Sequence, residues 1–207
     1  LGRPADPLHL YLLRRELFLP ADRRGLLALP AGSDPLTGLA PGALDAPTGL
    51  DPENTVSALE LTGYMRNMLL RDSDVFSMVH GLELRVPLLD AELVASAARL
   101  PGGWKRPGKP PKPLLVDAVG PRLPRGVTTL PKRGFTFPWA DWLRGALAPL
   151  AAERLTDAGA WAAIGFDRAG VAKVWERFRA GDPSVGGLHV LALVVLADVV
   201  RRQQLAA

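Results

Sequence analysis

The sequence contains no cysteine in its 207 residues, which excludes disulfides, thiolate metal sites and a cysteine nucleophile, although this absence alone does not fix the redox compartment. Histidine is scarce: His9, His80 and His189 are too far apart in sequence to suggest a metal site, and none is expected. No apolar run approaches the roughly 20 residues of a membrane span; the longest, Val190 to Ala197, stops at Asp198 and reads as a core helix. There is no internal repeat, and the proline-rich GKPPKP around Pro110 is too short for a low-complexity domain. The chain opens Leu-Gly-Arg-Pro, without Met, a basic n-region or an apolar h-region. A signal peptide is therefore not expected there, a cut end is, and the default location is cytoplasmic.

What is present is an ordinary globular composition, 48% hydrophobic and 22% charged, long enough for a single domain spanning 1–207 with an apolar core. The net charge of +4 is unevenly placed. From Trp104 to Arg133 stand Lys105, Arg106, Lys109, Lys112, Arg122, Arg125, Lys132 and Arg133 against Asp117 alone, so that segment is +7 and the remainder −3. Such a concentration of cations attracts a nucleotide, pyrophosphate or nucleic acid, or forms a solvated basic surface.

Periodicity predicts helices with little strand. Pro7 to Leu29 reads as two short helices broken at Pro20, and Pro30 to Pro52 as a surface loop. A helix is expected from about Thr55, capped by Asn54 or Thr55, with Leu61, Tyr64, Met65, Met68 and Leu69 on one face. Extended at 3.6 residues per turn, that row reaches Asp72 before Val75, Phe76 and Val79, which puts a carboxylate among buried positions. Burial would cost several kcal/mol without a partner, so either the helix ends near Arg71 or Asp72 meets a cation, with Arg85 the expected one. Leu82 to Val86 alternates like a short strand with Glu83 and Arg85 on one side, and Asp90 is the expected N-cap of a helix from Ala91 to Arg99. Further helices are expected at Leu114–Val119, at Pro138–Ala152 with Trp139, Trp142, Leu143, Leu147 and Leu150 inward, from Asp167 to Arg179, and from Leu188 to about Gln203, the last packed on several sides.

The stretch ELTGYMRNMLLRDSDVFSMVHGLELRVPLLDAELVASAARLP, Glu60 to Pro101, resembles the signature region of the asparagine synthetase family. GKPPKPLLVDAV resembles that family's basic residue followed by a short apolar helix, and LPKRGFTFPWADWLRG, Leu130 to Gly145, its lysine-containing loop and following helix. The resemblance is strongest over residues 60–145 and rests on helical pattern alone over Pro7–Leu29 and Phe166–Gln203.

The resemblance implies a mainly α chain, the helical C-terminal portion of an adenine-nucleotide alpha-hydrolase-like (ATP pyrophosphatase) synthetase domain. In the family, that domain adenylates aspartate with ATP and magnesium, and ammonia from an N-terminal glutaminase domain then displaces AMP. The glutaminase's nucleophilic cysteine and the SGGxDS pyrophosphate loop are both missing; AGSDPLTG from Ala31 reads as an ordinary turn. The chain alone is therefore expected to be inactive and to hold no nucleotide tightly, with the missing synthetase and glutaminase parts as its partners and no membrane.

Carried over residue by residue, the resemblance makes Lys132 of PKRGF the catalytic cation on the phosphates. It makes Arg71, Asp72 and Asp74 of LLRDSD pocket residues, with Lys112 a further phosphate-facing charge. Glu83, Arg85 and Asp90 match the ELRVPLLD core, where a buried ion pair locking the turn is the favoured reading. Two other readings use the same residues: a basic nucleic-acid-binding helical module, weakened by the prolines that interrupt the +7 segment, and a non-catalytic helical scaffold partnering a separate synthetase half.

Overall fold

The computed structural model describes residues 7–30, 48–105, 112–124, 126–131, 134 and 137–205. Among them every regular element is helical and no strand occurs, in agreement with the mainly α expectation. The chain gathers into two compact units, one of Leu1–Arg14 with Ala40–Arg133 and one of Arg15–Leu39 with Gly134–Ala207.

The first unit contains α1 (Pro7–Arg15, all but its last residue), α3 (Pro52–Glu60), α4 (Arg71–Met78), α5 (Ala91–Arg99) and α6 (Pro113–Val119). Helix α3 begins earlier than the hydrophobic pattern suggests. Its cap is Asp51, whose carboxylate accepts the Asn54 N–H at 2.8 Å, and Pro52 takes the first helical position, where a missing N–H costs nothing. Asn54 and Thr55, the expected caps, are buried inside the helix.

Between α3 and α4 the chain runs without a break through a π-helical segment, Leu61–Leu70. Side chains account for the departure from α geometry. The Tyr64 N–H donates to the hydroxyl of buried Tyr11 at 3.0 Å, the Thr62 hydroxyl donates back to the Ala58 carbonyl at 2.8 Å, and the Asn67 amide donates to the Thr62 carbonyl at 3.2 Å. The first takes an N–H that an α-helix would use in its own ladder, and the other two load carbonyls that keep a second lone pair for a ladder N–H.

The wider turn corrects the reading of Asp72. A row projected at 3.6 residues per turn loses phase across ten π-helical residues, and Asp72 is exposed, as is nearly all of α4, which buries no residue. Arg85 is not its partner. It pairs with Glu83 at 3.0 Å, and the two side chains are 83% and 71% exposed, so the expected buried ion pair is instead a solvated one worth at most about 1 kcal/mol. The Leu82–Val86 passage has no partner strand and leads into a 3₁₀ turn at Pro87–Leu89. Asp90 caps α5 as expected, accepting from the amides of Glu92 and Leu93, both at 3.0 Å.

The apolar core of this unit is thin: among the described residues, Tyr11 and Leu59 are its buried large side chains. A polar knot supplements it. Asp51 also accepts from the Asn54 side-chain amide (2.8 Å) and from the Gly102 N–H (3.0 Å); Asn54 donates to the Leu100 carbonyl (3.1 Å); and Lys105 Nζ donates to Asn54 Oδ1. α3 is thereby tied to the segment following α5.

The second unit contains α2 (Pro20–Leu26), α7 (Trp139–Arg144), α8 (Ala148–Thr156), α9 (Ala158–Ala163), α10 (Arg168–Arg179) and α11 (Gly187–Leu205). The break expected at Pro20 is where α2 starts. Helix α10 buries Val171, Val174, Trp175 and Phe178, the i, i+3, i+4, i+7 row of an amphipathic helix, each side chain contributing about 1.5–3 kcal/mol of burial. These meet Trp161, Leu143 and Leu155 with Val190, Leu193 and Ala197 of α11 in one core. Asp157 caps α9, and Asp167 caps α10 as expected.

One expectation about this unit is corrected: the single helix at Pro138–Ala152 is two, separated at Gly145, and of its five expected inward residues Trp142 and Leu150 are exposed. Helix α11 meets α7, α8, α9 and α10, in keeping with a helix packed on several sides, and leaves Leu188, Val195 and Val199 exposed.

Candidate functional site

The residues singled out from the sequence fall in three places. Arg71, Asp72 and Asp74 occupy the first turn of α4, all exposed. Asp72 and Asp74 are two residues apart, so they leave the helix on different sides and do not form a paired chelate. Glu83 and Arg85 form the solvated pair described above, and Asp90 is spent on two α5 amides.

Lys112 is exposed and precedes Pro113, the first residue of α6. Its backbone is left-handed, φ 57°, and its carbonyl accepts from both Leu115 and Val116 at 3.1 Å. A lysine held there costs about 1–3 kcal/mol of backbone strain, while its side chain stays in solvent.

Lys132, the expected catalytic cation, and the AGSDPLTG turn lie outside the described residues. Of the other cations in the basic segment, Lys105 is committed to Asn54, Lys112 and Arg122 are exposed on separate short elements, and Arg106, Lys109, Arg125 and Arg133 lie outside the described residues.

A concave feature of the first unit is a groove of about 350 Å³ between α3, the Pro87–Leu89 turn and α5. Leu50, Leu61, Leu88, Leu93 and Val94 form its apolar wall, and Asn54, Ser57 and Lys105 are its polar groups. None of the residues expected from the sequence lines it. The knot at its edge holds the Asp51 carboxyl below the usual aspartate range, because the amides of Asn54 and Gly102 donate to the carboxylate. Asp51 was legible as a cap from its place before Pro52 and Glu53, a signal that the hydrophobic period masks. Lys105 had no signal beyond its membership of the basic segment.

In the second unit the charged clusters are structural. Arg177 bridges Asp22 (3.2 Å) and Asp182 (2.8 Å) and donates to Ser184 at 2.6 Å. Donation from the Ser184 hydroxyl, then from Arg177, pulls the Asp182 carboxyl far below its ordinary value. The His189 ring accepts the Gly186 N–H on Nδ1 at 3.0 Å and meets Phe18 edge-on at 5.1 Å, a core-edge role. Among the described residues no three His, Asp or Glu side chains converge as a metal site, and no helix is long and apolar enough to cross a membrane.

Comparison with known proteins adds a family to this geometry. A family model described as asparagine synthase matches residues 8–196. A Mycobacterium tuberculosis protein named "putative asparagine synthetase [glutamine-hydrolyzing]" is 40% identical over 96 residues, which is 46% of this chain and 15% of the relative. "Asparagine synthetase [glutamine-hydrolyzing] 1" of Bacillus subtilis is 31% identical over 94 residues, 45% of this chain and 15% of the relative. The matched stretch is thus a small part of either curated relative. No solved structure matches.

Proposed function

We propose a function from one fixed premise: the chain belongs to the asparagine synthase family. Its role is that of the C-terminal part of an ATP-dependent, glutamine-using amide synthetase that makes asparagine from aspartate, a part that works only with the remainder of the synthetase. The observation that carries this reading is the family match, which runs from α1 into α11 through both compact units.

The chemistry is adenylation followed by aminolysis. An aspartate carboxylate oxygen attacks the α-phosphorus of ATP and pyrophosphate leaves with its electron pair; ammonia then attacks the acyl carbon, loses a proton and expels AMP. Lys132 is assigned to the phosphates, where a cation fixed on a loop is worth most as the bond to pyrophosphate breaks. Arg71, Asp72 and Asp74 are assigned to the pocket wall, a role their exposure on α4 leaves open, and Lys112 to additional phosphate-facing charge.

Magnesium would neutralise charge on the triphosphate. The described residues do not fit a protein cage for it, since the two α4 carboxylates diverge; the ion is instead expected to enter on the phosphates with its waters, as magnesium usually does.

The test is aspartate-dependent AMP release when this chain is combined with the synthetase segment that its relatives carry outside the matched stretch. Lys132→Ala is expected to lower that rate about 100-fold while glutamine hydrolysis by an attached glutaminase is unchanged. Equal synthetase rates for Lys132→Ala and the parent would remove Lys132 from the site.

A further inference from the structure

The π-helical segment Leu61–Leu70 is the longest departure from α geometry within a helix of the first unit. Such turns are rare, are short where they occur, and are frequent at functional sites. This one runs straight into α4, whose first turn carries Arg71, Asp72 and Asp74. The side chains assigned to the pocket wall therefore take their direction from it. A π ladder bonds each N–H to the carbonyl five residues back instead of four, so each residue advances less around the axis than in an α-helix. Accumulated over ten residues, the difference turns α4 about its own axis, and the three charged side chains with it.

A cause of the wide turn lies outside the helix. A backbone N–H has one proton to give, whereas a carbonyl can accept twice. Of the side-chain bonds named above for this segment, the one to Tyr11 is thus the one that withdraws a ladder group. The Tyr11 hydroxyl accepts the Tyr64 N–H at 3.0 Å, in the first turn of the segment. Tyr11 belongs to α1, and at 7% exposure its hydroxyl is not readily replaced by solvent.

We infer that Tyr11 is a positioning residue of the synthetase site: its hydroxyl holds the π turn in place and thereby sets the direction in which Arg71, Asp72 and Asp74 leave α4. What that direction serves rests on the functional reading above, whereas the hold on the turn rests on the hydrogen bond. The part of Tyr11 is to aim the α4 side chains, not to touch aspartate or ATP.

Tyr11→Phe keeps the buried ring and removes the hydroxyl. Scalar couplings across hydrogen bonds, measured by NMR on the full chain, identify the carbonyl that each amide of residues 65–70 meets. The parent is expected to bond five residues back and Tyr11→Phe four; a ladder unchanged in the variant would overturn the inference. Kinetics of AMP release, with this chain combined with the synthetase segment that relatives carry outside the matched stretch, test the aim. Tyr11→Phe should raise KM for aspartate or for ATP at least five-fold while kcat changes less than two-fold. Leu59→Val thins the same buried core without touching the bond, so it should lower the urea midpoint and leave both KM values at those of the parent. Asp72→Asn/Asp74→Asn should raise the same KM, and adding Tyr11→Phe to it should change that KM less than two-fold, because residues acting through one another are not additive. Equal KM values for the parent and Tyr11→Phe, an equal rise in Leu59→Val, or full additivity with the α4 variant would each remove Tyr11 from the site. A parent mixture that releases no AMP removes the functional reading instead, and the ladder then decides by itself whether Tyr11 sets the turn.

Discussion

At the scale of single residues, the tightest constraints are steric and electrostatic. A Cβ on Gly170 would lie 2.2 Å from the Gly25 carbonyl oxygen and 2.8 Å from its carbon, backbone atoms that cannot step aside without moving α2 off α10. Gly170→Ala is expected to cost about 2–4 kcal/mol in urea denaturation, whereas Gly103→Ala, with nothing within 4 Å, should change stability by less than about 0.5 kcal/mol. Asp51 makes a pH prediction. Its folded carboxyl sits below the ordinary value of 3.8 because two amides donate to it. Its contribution is therefore fully present above that ordinary value and is lost as pH falls through the lower folded value. Urea midpoints measured from pH 6 down to pH 2 should fall more steeply for the parent than for Asp51→Asn; parallel curves would show that the carboxylate adds nothing.

At the scale of elements, the π-helical segment decides where the charged residues of α4 face. The Tyr11 hydroxyl holds the Tyr64 N–H, so Tyr11→Phe strips that donor of its acceptor and is expected to cost about 1–2 kcal/mol. Hydrogen exchange resolved by residue should show the Tyr64 amide losing protection while α10 amides keep theirs. The sequence discloses much at this scale. Asp90 and Asp167 were readable as caps because a carboxylate just before an apolar period has one efficient use, accepting the first free amides. Asp51 was missed because the apolar period of α3 starts later than its backbone hydrogen bonds do. Asp72 was misplaced for a different reason: hydrophobic periodicity assumes a constant turn, and side-chain hydrogen bonds from Tyr11, Thr62 and Asn67 change the turn.

At the scale of the molecule, buried apolar surface is unevenly shared. The second unit holds the cluster around Trp161, Phe178 and Leu193, while the first relies on Leu59, Tyr11 and a polar knot. Local stability follows buried apolar packing. Native-state hydrogen exchange of the chain on its own is therefore expected to open amides of α4 and α5 at lower free energy than those of α10 and α11. Protection of α4 equal to that of α10 would contradict this ordering.

The sequence by itself determined the helical class, most of the helix starts, and the family, because caps, prolines and a dense motif act locally and survive without knowledge of packing. Only the tertiary structure decided which polar groups are spent and which are left to bind. Lys105 and Asp51 are consumed in a knot between residues about fifty positions apart, Arg85 turns to Glu83 rather than Asp72, and the Tyr11 hydroxyl takes the Tyr64 N–H inside the π-helical segment. Each of these outcomes depends on the distance between groups remote in sequence or on a turn geometry that a distant side chain imposes, and a linear pattern carries neither.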